Sequence, residues 1–329
     1  MASGTSKRIA QPKRVLVIFP GALGDLVCLG PALRALTRRH YDATLELMAR
    51  EELARFIVDR VGIMRGRSRG HSRSRGHSID RREVAALFAE SPDLEATRFF
   101  RPFNRIYSFF ASDAARFRRA LEAAATPGAV SFHAFRPAGA GHVAAGYLDE
   151  IGESGTDEHL LDGHIEVLPD DIAEARQALA RLGLGAARVV LLFPGSGGAH
   201  KNWPADNFAA LASALPPPMR ALVVLGPAEH AIEPLLMPLL AARGIAWLRD
   251  QPLGTVAGLA RLAAGFVGND SGVSHLAAAA GAPGVAIFGP TDPDRWRPLG
   301  RVKVVRARLL SDLAPAAVAA ALREITGRQ

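Results

Sequence analysis

The sequence predicts an α/β protein built on parallel β-sheet and divided into two domains. Three observations carry this. Short apolar runs of strand type alternate with amphipathic helical runs, the pattern of repeated βαβ units. A length of 329 residues suits two ordinary domains. A charged helical run from Pro169 to Leu182, closed by Gly183 and Gly185, separates the alternation into halves.

In chain order, Val15 to Phe19 reads as a buried strand, followed by a loop and a helix from about Leu26 to Arg39. Ala43 to Met48 reads as a second strand and Glu51 to Val61 as a helix. The pattern weakens between Gly62 and Arg101 and again around Gly128 to Gly146. It resumes with strands at Arg188 to Leu192, Ala221 to Leu225, Gly265 to Val267 and Val285 to Phe288. The last helix is expected over Asp312 to Ile325, with Asp312 as N-cap and an apolar stripe of Leu313, Ala317, Ala320, Ala321 and Ile325.

Apolar residues make up 49% of the chain, ample for sizeable cores. No apolar run reaches the roughly 20 residues that a spanning helix needs. Residues 1–13 are polar, without the apolar core of a signal peptide, and the expected location is the cytosol. The single cysteine, Cys28, suits a reducing compartment and reads as a small core residue. The net charge is +8, but seven arginines against Asp80 give residues 65–82 a charge of +6. A basic segment on a near-neutral protein argues against a general nucleic-acid surface. Within it Ser68-Arg69-Gly70-His71-Ser72 recurs as Ser74-Arg75-Gly76-His77-Ser78, and residues 65–78 read as a flexible surface insertion. Its functional reading is contact with anionic membrane; its plain reading, the favoured one, is a tolerated insertion.

Two loops carry phosphate-binding character. Asn269-Asp270-Ser271-Gly272-Val273-Ser274-His275 follows a strand and opens a helix, and Asp-Ser-Gly at that junction is an N-cap signature. A helix start presents backbone N–H groups and the positive end of its dipole to an anion. Pro194-Gly195-Ser196-Gly197-Gly198 also follows a strand, with Lys201 beyond it as a point charge. In a doubly wound sheet both loops line one crevice, which suggests a nucleotide diphosphate. Glu229, after another strand, reads either as a ribose-binding acid or as a first-turn helix acid. His275 reads by default as a structural histidine. Gly21 and Gly24 frame a first loop, but they do not make the G-x-G-x-x-G dinucleotide fingerprint. Asp25 there reads as a helix cap or first-turn acid, and Glu46 keeps a weak dinucleotide reading alive. Asp292-Pro293-Asp294 reads as a turn, and neither a metal nor a cofactor is expected.

Gly21-Ala22-Leu23-Gly24-Asp25, Pro194 to Gly198 with Lys201-Asn202-Trp203-Pro204, Gly226-Pro227-Ala228-Glu229-His230, Asn269 to His275 and Phe288-Gly289-Pro290-Thr291-Asp292-Pro293 occur in that order. Together they resemble glycosyltransferase family 9, the bacterial lipopolysaccharide heptosyltransferases. The resemblance runs from about residue 14 to 300 and is thin between 62 and 165. It implies a GT-B fold of two Rossmann-like domains with parallel sheets facing across a cleft: 14–168 on the acceptor side and 169–311 for the nucleotide sugar. It implies that a final segment, 312–329, crosses back to the first domain.

The resemblance also implies inverting, metal-free transfer from a nucleotide-diphosphate sugar, typically ADP-heptose, to a lipopolysaccharide-core or other envelope glycan. Asp25 then matches the catalytic base, Ser196 and Lys201 the phosphate contacts, and Glu229 the ribose contact. Asp270, Ser271 and Gly272 match the donor loop; Gly197 and His275 sit with it, and Gly21 and Gly24 form the acceptor-side loop. Partners so implied are the donor, a glycolipid or glycan acceptor and, peripherally, anionic membrane. The rival readings are a non-catalytic nucleotide-sugar-binding module, which would have no use for Asp25, and a nicotinamide-dependent oxidoreductase, disfavoured by the missing third glycine.

Overall fold

The computed structural model describes residues 13–61, 75–89, 92–154, 160–230 and 232–327. The described chain builds two parallel sheets. The first comprises β1 (Lys13–Ile18), β2 (Ala43–Ala49), β3 (Arg75–Ser78), β4 (Arg105–Ser108) and β5 (Val130–Phe132), in the order β3-β2-β1-β4-β5. Helices α1 (Leu23–Arg39), α2 (Glu51–Val58), α3 (Arg82–Ala85), α4 (Leu94–Phe100) and α5 (Ala115–Ala124) occur along this part of the chain, followed by α6 (Val143–Glu150). Val15 to Ile18 are fully buried because a central parallel strand is covered on both faces. Leu16, Ile18, Met48, Phe100, Phe103 and Phe117 share one core.

The second sheet comprises β6 (Arg188–Phe193), β7 (Met219–Leu225), β8 (Ala246–Arg249), β9 (Gly265–Asn269), β10 (Gly284–Phe288) and β11 (Val302–Arg306). Its order, β11-β10-β9-β6-β7-β8, reverses between β6 and β9. That reversal is the topological switch point, where open α/β sheets bind ligands beyond the carboxyl ends of their strands. The helices here are α7 (Pro169–Arg181), α8 (Ala205–Ser213), α9 (Glu233–Ala242), α10 (Leu253–Leu262), α11 (Gly272–Ala279), α12 (Pro293–Trp296) and α13 (Pro315–Thr326). Among the described residues no helix is long and apolar enough to cross a membrane.

Four expectations are corrected. The domain boundary does not fall at 169: one compact unit takes residues 1–20, 36–58 and 63–135, and the other takes 21–35, 59–62 and 136–329. Residues ahead of α7 are held in the second unit by specific bonds. Ile165 N–H donates to the Ala279 carbonyl at 3.0 Å, and Arg60 forks onto buried Asp171 at 2.6 and 3.1 Å. A flexible N-terminus is expected over residues 1–13; residues 1–12 lie outside the described residues, but Lys13 is the first residue of β1 and reaches Asp42 at 2.8 Å. The insertion expected over 65–78 ends before Arg75. Residues 62–74 lie outside the described residues, but Arg75–Ser78 pair in register with Glu46 to Ala49 as β3. Buried Glu46 makes that pairing specific: it accepts from His77 Nε2 at 2.6 Å and from Arg14 at 2.7 and 2.9 Å. The last helix begins at Pro315, after a 3₁₀ turn at Leu310–Asp312, so Asp312 is not its N-cap. Its buried face is Val318, Ala319, Ala321, Leu322 and Thr326, and it packs on α8 and β10 in the second sheet's core.

Candidate active site

The site forms where α1 and α11 begin. Residue 24 has little room for a side chain, because a Cβ there would stand 3.3 Å from the His275 ring. A Cβ on Gly272 would stand 3.0 Å from both Gly24 N and Leu23 Cβ. Glycine at 272 therefore lets two helix N-termini converge, and their dipoles add positive potential at one place. Beside them is a cavity of about 280 Å³. Asp25, Arg136, Lys201, Asp270, His275 and Trp296 line it, together with Gly24, Gly197, Ser271 and Gly272.

Asp25 lies in the first turn of α1. Its Oδ2 accepts the Ala22 N–H at 3.0 Å, the return bond of a capped helix start, so the first-turn reading is the structural one. Its Oδ1 accepts from Arg136 Nη1 at 2.8 Å. Lys201 ends a 3₁₀ turn and pairs with Asp270 Oδ2 at 3.1 Å. Asp270 is thus a partner of lysine and not a helix cap. Ser271 holds the cap position of α11 in extended backbone, and no side-chain cap covers that helix start.

The loops after β6 and β9 are tied by one buried amide. Asn269 Nδ2 donates to the Pro194 carbonyl at 2.7 Å, and its Oδ1 accepts the Trp203 N–H at 3.0 Å. Ser196 donates to Asn202 Oδ1 at 2.6 Å and accepts the Gly198 N–H at 3.3 Å, which shapes the glycine turn. Glu229 is buried; its Oε2 accepts the Gly226 N–H at 2.7 Å. A Cβ on Gly195 would fall 1.9 Å from its other oxygen, so only glycine fits there. Burial pushes the Glu229 carboxyl above the usual carboxylate range. Gly21, Ser196 and Glu229 are not among the residues that line this cavity.

His275 is buried and lowered to about 4, chiefly because burial disfavours the imidazolium. Its Nδ1 lies 3.5 Å from Cys28 Sγ, whose thiol is itself pushed up by burial. Both expectations for this pair, structural histidine and core cysteine, agree with that neutral contact. Glu46 does not serve a ribose: Arg14 and His77 occupy its oxygens, which removes the support for a dinucleotide site in the first sheet. Asp292 caps the one-turn helix α12 by accepting the Asp294 N–H at 3.1 Å. Sequence reasoning missed Arg136, Thr291 and Trp296. Arg136 falls in a Gly- and Pro-rich stretch with no periodicity, where the only signal is an isolated arginine.

Two parallel sheets with these strand orders are the arrangement of the GT-B class of fold. The solved structure of the glycosyl transferase family 9 from Veillonella parvula DSM 2008 has it, with a TM-score of 0.77 at 18% identity over 96% of this chain and 98% of that one. So does that of the ADP-heptose lps heptosyltransferase II of E. coli, with a TM-score of 0.72 at 19% identity over 96% and 99%. Residues 155–312, just under half of the chain, match the model of glycosyltransferase family 9 (heptosyltransferase). Lipopolysaccharide heptosyltransferase 2 of Escherichia coli (strain K12) is 33% identical over 115 residues. That match spans 33% of this chain and 33% of the relative, so about a third of the length of either.

Proposed function

We infer that this protein is an inverting glycosyltransferase that moves a sugar from a nucleotide-diphosphate donor, ADP-heptose in the first instance, to a lipopolysaccharide-core or other envelope glycan. One observation carries the reading. A carboxylate, Asp25, shares a cavity of about 280 Å³ with Lys201 and with the uncapped start of α11. Inversion is one displacement at the anomeric carbon: the acceptor oxygen bonds to that carbon as its bond to the diphosphate breaks. Asp25 takes the acceptor hydroxyl's proton. Lys201 and the α11 N–H groups receive the charge that gathers on the departing diphosphate, which is how the transfer proceeds without a metal. Ser196 and Gly197 shape the turn that the phosphates approach. Glu229, braced behind Gly195, holds the edge of the loop where a ribose would lie.

The acceptor is anionic in this reading. The first compact unit holds 21 Lys/Arg against 11 Asp/Glu, whereas the second holds 19 against 21. A basic unit draws an anionic glycolipid, or the inner face of a membrane that carries it, by long-range attraction. A cytoplasmic, peripherally membrane-associated enzyme follows.

The test is a thermal-shift series with ADP, GDP, UDP and ADP-heptose. A ligand at about 100 times its dissociation constant stabilises by roughly 2.7 kcal/mol. ADP-heptose should shift the transition most, and no shift with any diphosphate would reject the donor site. Asp25→Asn should then lower turnover by about 10² to 10⁴ with donor affinity kept. Wild-type turnover in that variant would remove Asp25 as the base.

A further inference from the structure

Residues 137–141, Pro-Ala-Gly-Ala-Gly, belong to no helix or strand and have little intrinsic reason to keep one conformation. One side chain from α12 nevertheless collects their carbonyls. Arg295 Nη1 donates to the Gly139 carbonyl at 2.7 Å and to the Gly141 carbonyl at 3.3 Å, while its Nη2 donates to the Pro137 carbonyl. The planar guanidinium fork spans three acceptors at once, which a point charge cannot do. The stretch is fixed again at its far end: His142 Nε2 donates to the Arg297 carbonyl at 2.8 Å, and its Nδ1 accepts the Ala144 N–H at 3.2 Å. Burial keeps that imidazole below its ordinary pKa, in the neutral form those two bonds need.

At the near end stands Arg136. Its guanidinium carbon lies 5.0 Å from the centre of the Trp296 ring, and that of Arg295 lies 5.7 Å from the same ring. One indole is therefore flanked by the clamp and by the arginine that the clamped stretch delivers. The Arg136 side chain is 53% exposed, and an exposed ion pair has little hold by itself. Its hold on Asp25 comes from the scaffold behind it. Asp25 is then fixed through both oxygens, by Ala22 N–H on Oδ2 and by Arg136 on Oδ1. A carboxylate has about four acceptor positions, so its plane is set while positions remain for a substrate hydroxyl.

We propose that Arg295 is a positioning residue for the transfer reaction: its clamp on Pro137, Gly139 and Gly141, with the Trp296 ring, places Arg136, and Arg136 sets the plane of the Asp25 carboxylate. This rests on the reading of Asp25 as the base, and the experiment separates the two.

The first arm needs no substrate. In protein labelled with ¹⁵N-arginine, the Arg136 guanidinium resonances, identified by their loss in Arg136→Lys, should show separate, slowly rotating Nη groups. In Arg295→Ala they should merge, and in Arg295→Lys, which keeps the charge without the fork, they should merge in part. Unchanged Arg136 resonances in Arg295→Ala overturn the proposal whatever the substrate. If Arg295→Ala melts far below wild type, the Lys variant decides on the same criterion.

The second arm follows ADP release from ADP-heptose in the presence of a glycan acceptor. Arg295→Ala should lower kcat by about 10- to 100-fold, as misplaced catalytic groups do, with KM for the donor within about twofold. The double variant with Arg136→Ala should be no slower than Arg136→Ala alone, because both act along one chain of contacts. Losses that multiply would mean independent roles and would overturn the proposal. Full turnover in Asp25→Asn would instead reject the base, and the resonance arm would still judge the clamp.

Discussion

Protonation of His275 should set a large part of the acid sensitivity of the second compact unit. The perturbation is pH, with His275→Gln as the reference that cannot titrate in this range. Folded, the imidazole is lowered from 6.5 to about 4 because it is buried. Unfolded, it takes a proton near pH 6.5. Above that pH neither state is protonated and the stability is complete. Between 6.5 and about 4 only the unfolded chain binds the proton, so stability falls as pH falls. Below about 4 both states bind it and the loss stops. At about 1.4 kcal/mol per pH unit the window corresponds to about 3 kcal/mol. The assay is urea unfolding followed by tryptophan fluorescence. All three tryptophans, Trp203, Trp247 and Trp296, belong to the second compact unit, so the signal reports that unit directly. Wild type should lose about 3 kcal/mol more than His275→Gln between pH 7 and pH 4. Parallel pH curves for the two proteins would refute the reasoning, and would mean that the folded imidazole accepts a proton as readily as the free one.

Three further outcomes are expected. Glu46→Ala leaves Arg14 and His77 without their shared acceptor, and breaking a buried pair of this kind costs about 3 kcal/mol in the first compact unit, read by circular dichroism melting. Gly195→Ala forces a methyl group into the Glu229 carboxyl, and overpacking should destabilise by about 1–3 kcal/mol and weaken ADP binding, read by melting and calorimetry. Lys201→Ala should weaken ADP by roughly 1.5–3 kcal/mol and leave adenosine nearly unchanged; equal losses for the two would place the lysine elsewhere.

The fold was legible where burial writes itself into sequence. Central strands such as β10, and β6 beyond Arg188, are runs of apolar residues, and the loop after β6 carried its glycines and Lys201 in plain view. Strand β3 was not legible, because Arg-Gly-His-Ser holds no apolar residue; it pairs through its backbone and through the His77 bond to Glu46. The first strand and the start of α1 showed Asp25, but its partner Arg136 lies 111 residues away. The Arg295 clamp reaches back more than 150 residues to a stretch with no periodicity. Such contacts are created by the folded chain and leave no local pattern. The burial of α13 was visible as apolar content: Leu313, Ala321 and Ile325 of the expected stripe do pack in the core, but Val318, Ala319 and Leu322 were passed over because alanines on both sides blur the stripe.

Asn269 has a consequence for transplanting this site into another protein. Its amide is shared between the loops after β6 and β9, and Trp203, which it holds, passes its indole N–H to the Leu313 carbonyl at 2.9 Å. Both loops are therefore moored to Leu313, more than 100 residues beyond Trp203. A graft that carries only the glycine turn and the Asp-Ser-Gly junction would arrive unmoored. A chain cut short before Leu313 would lose the mooring from the opposite side, with every loop residue still in place.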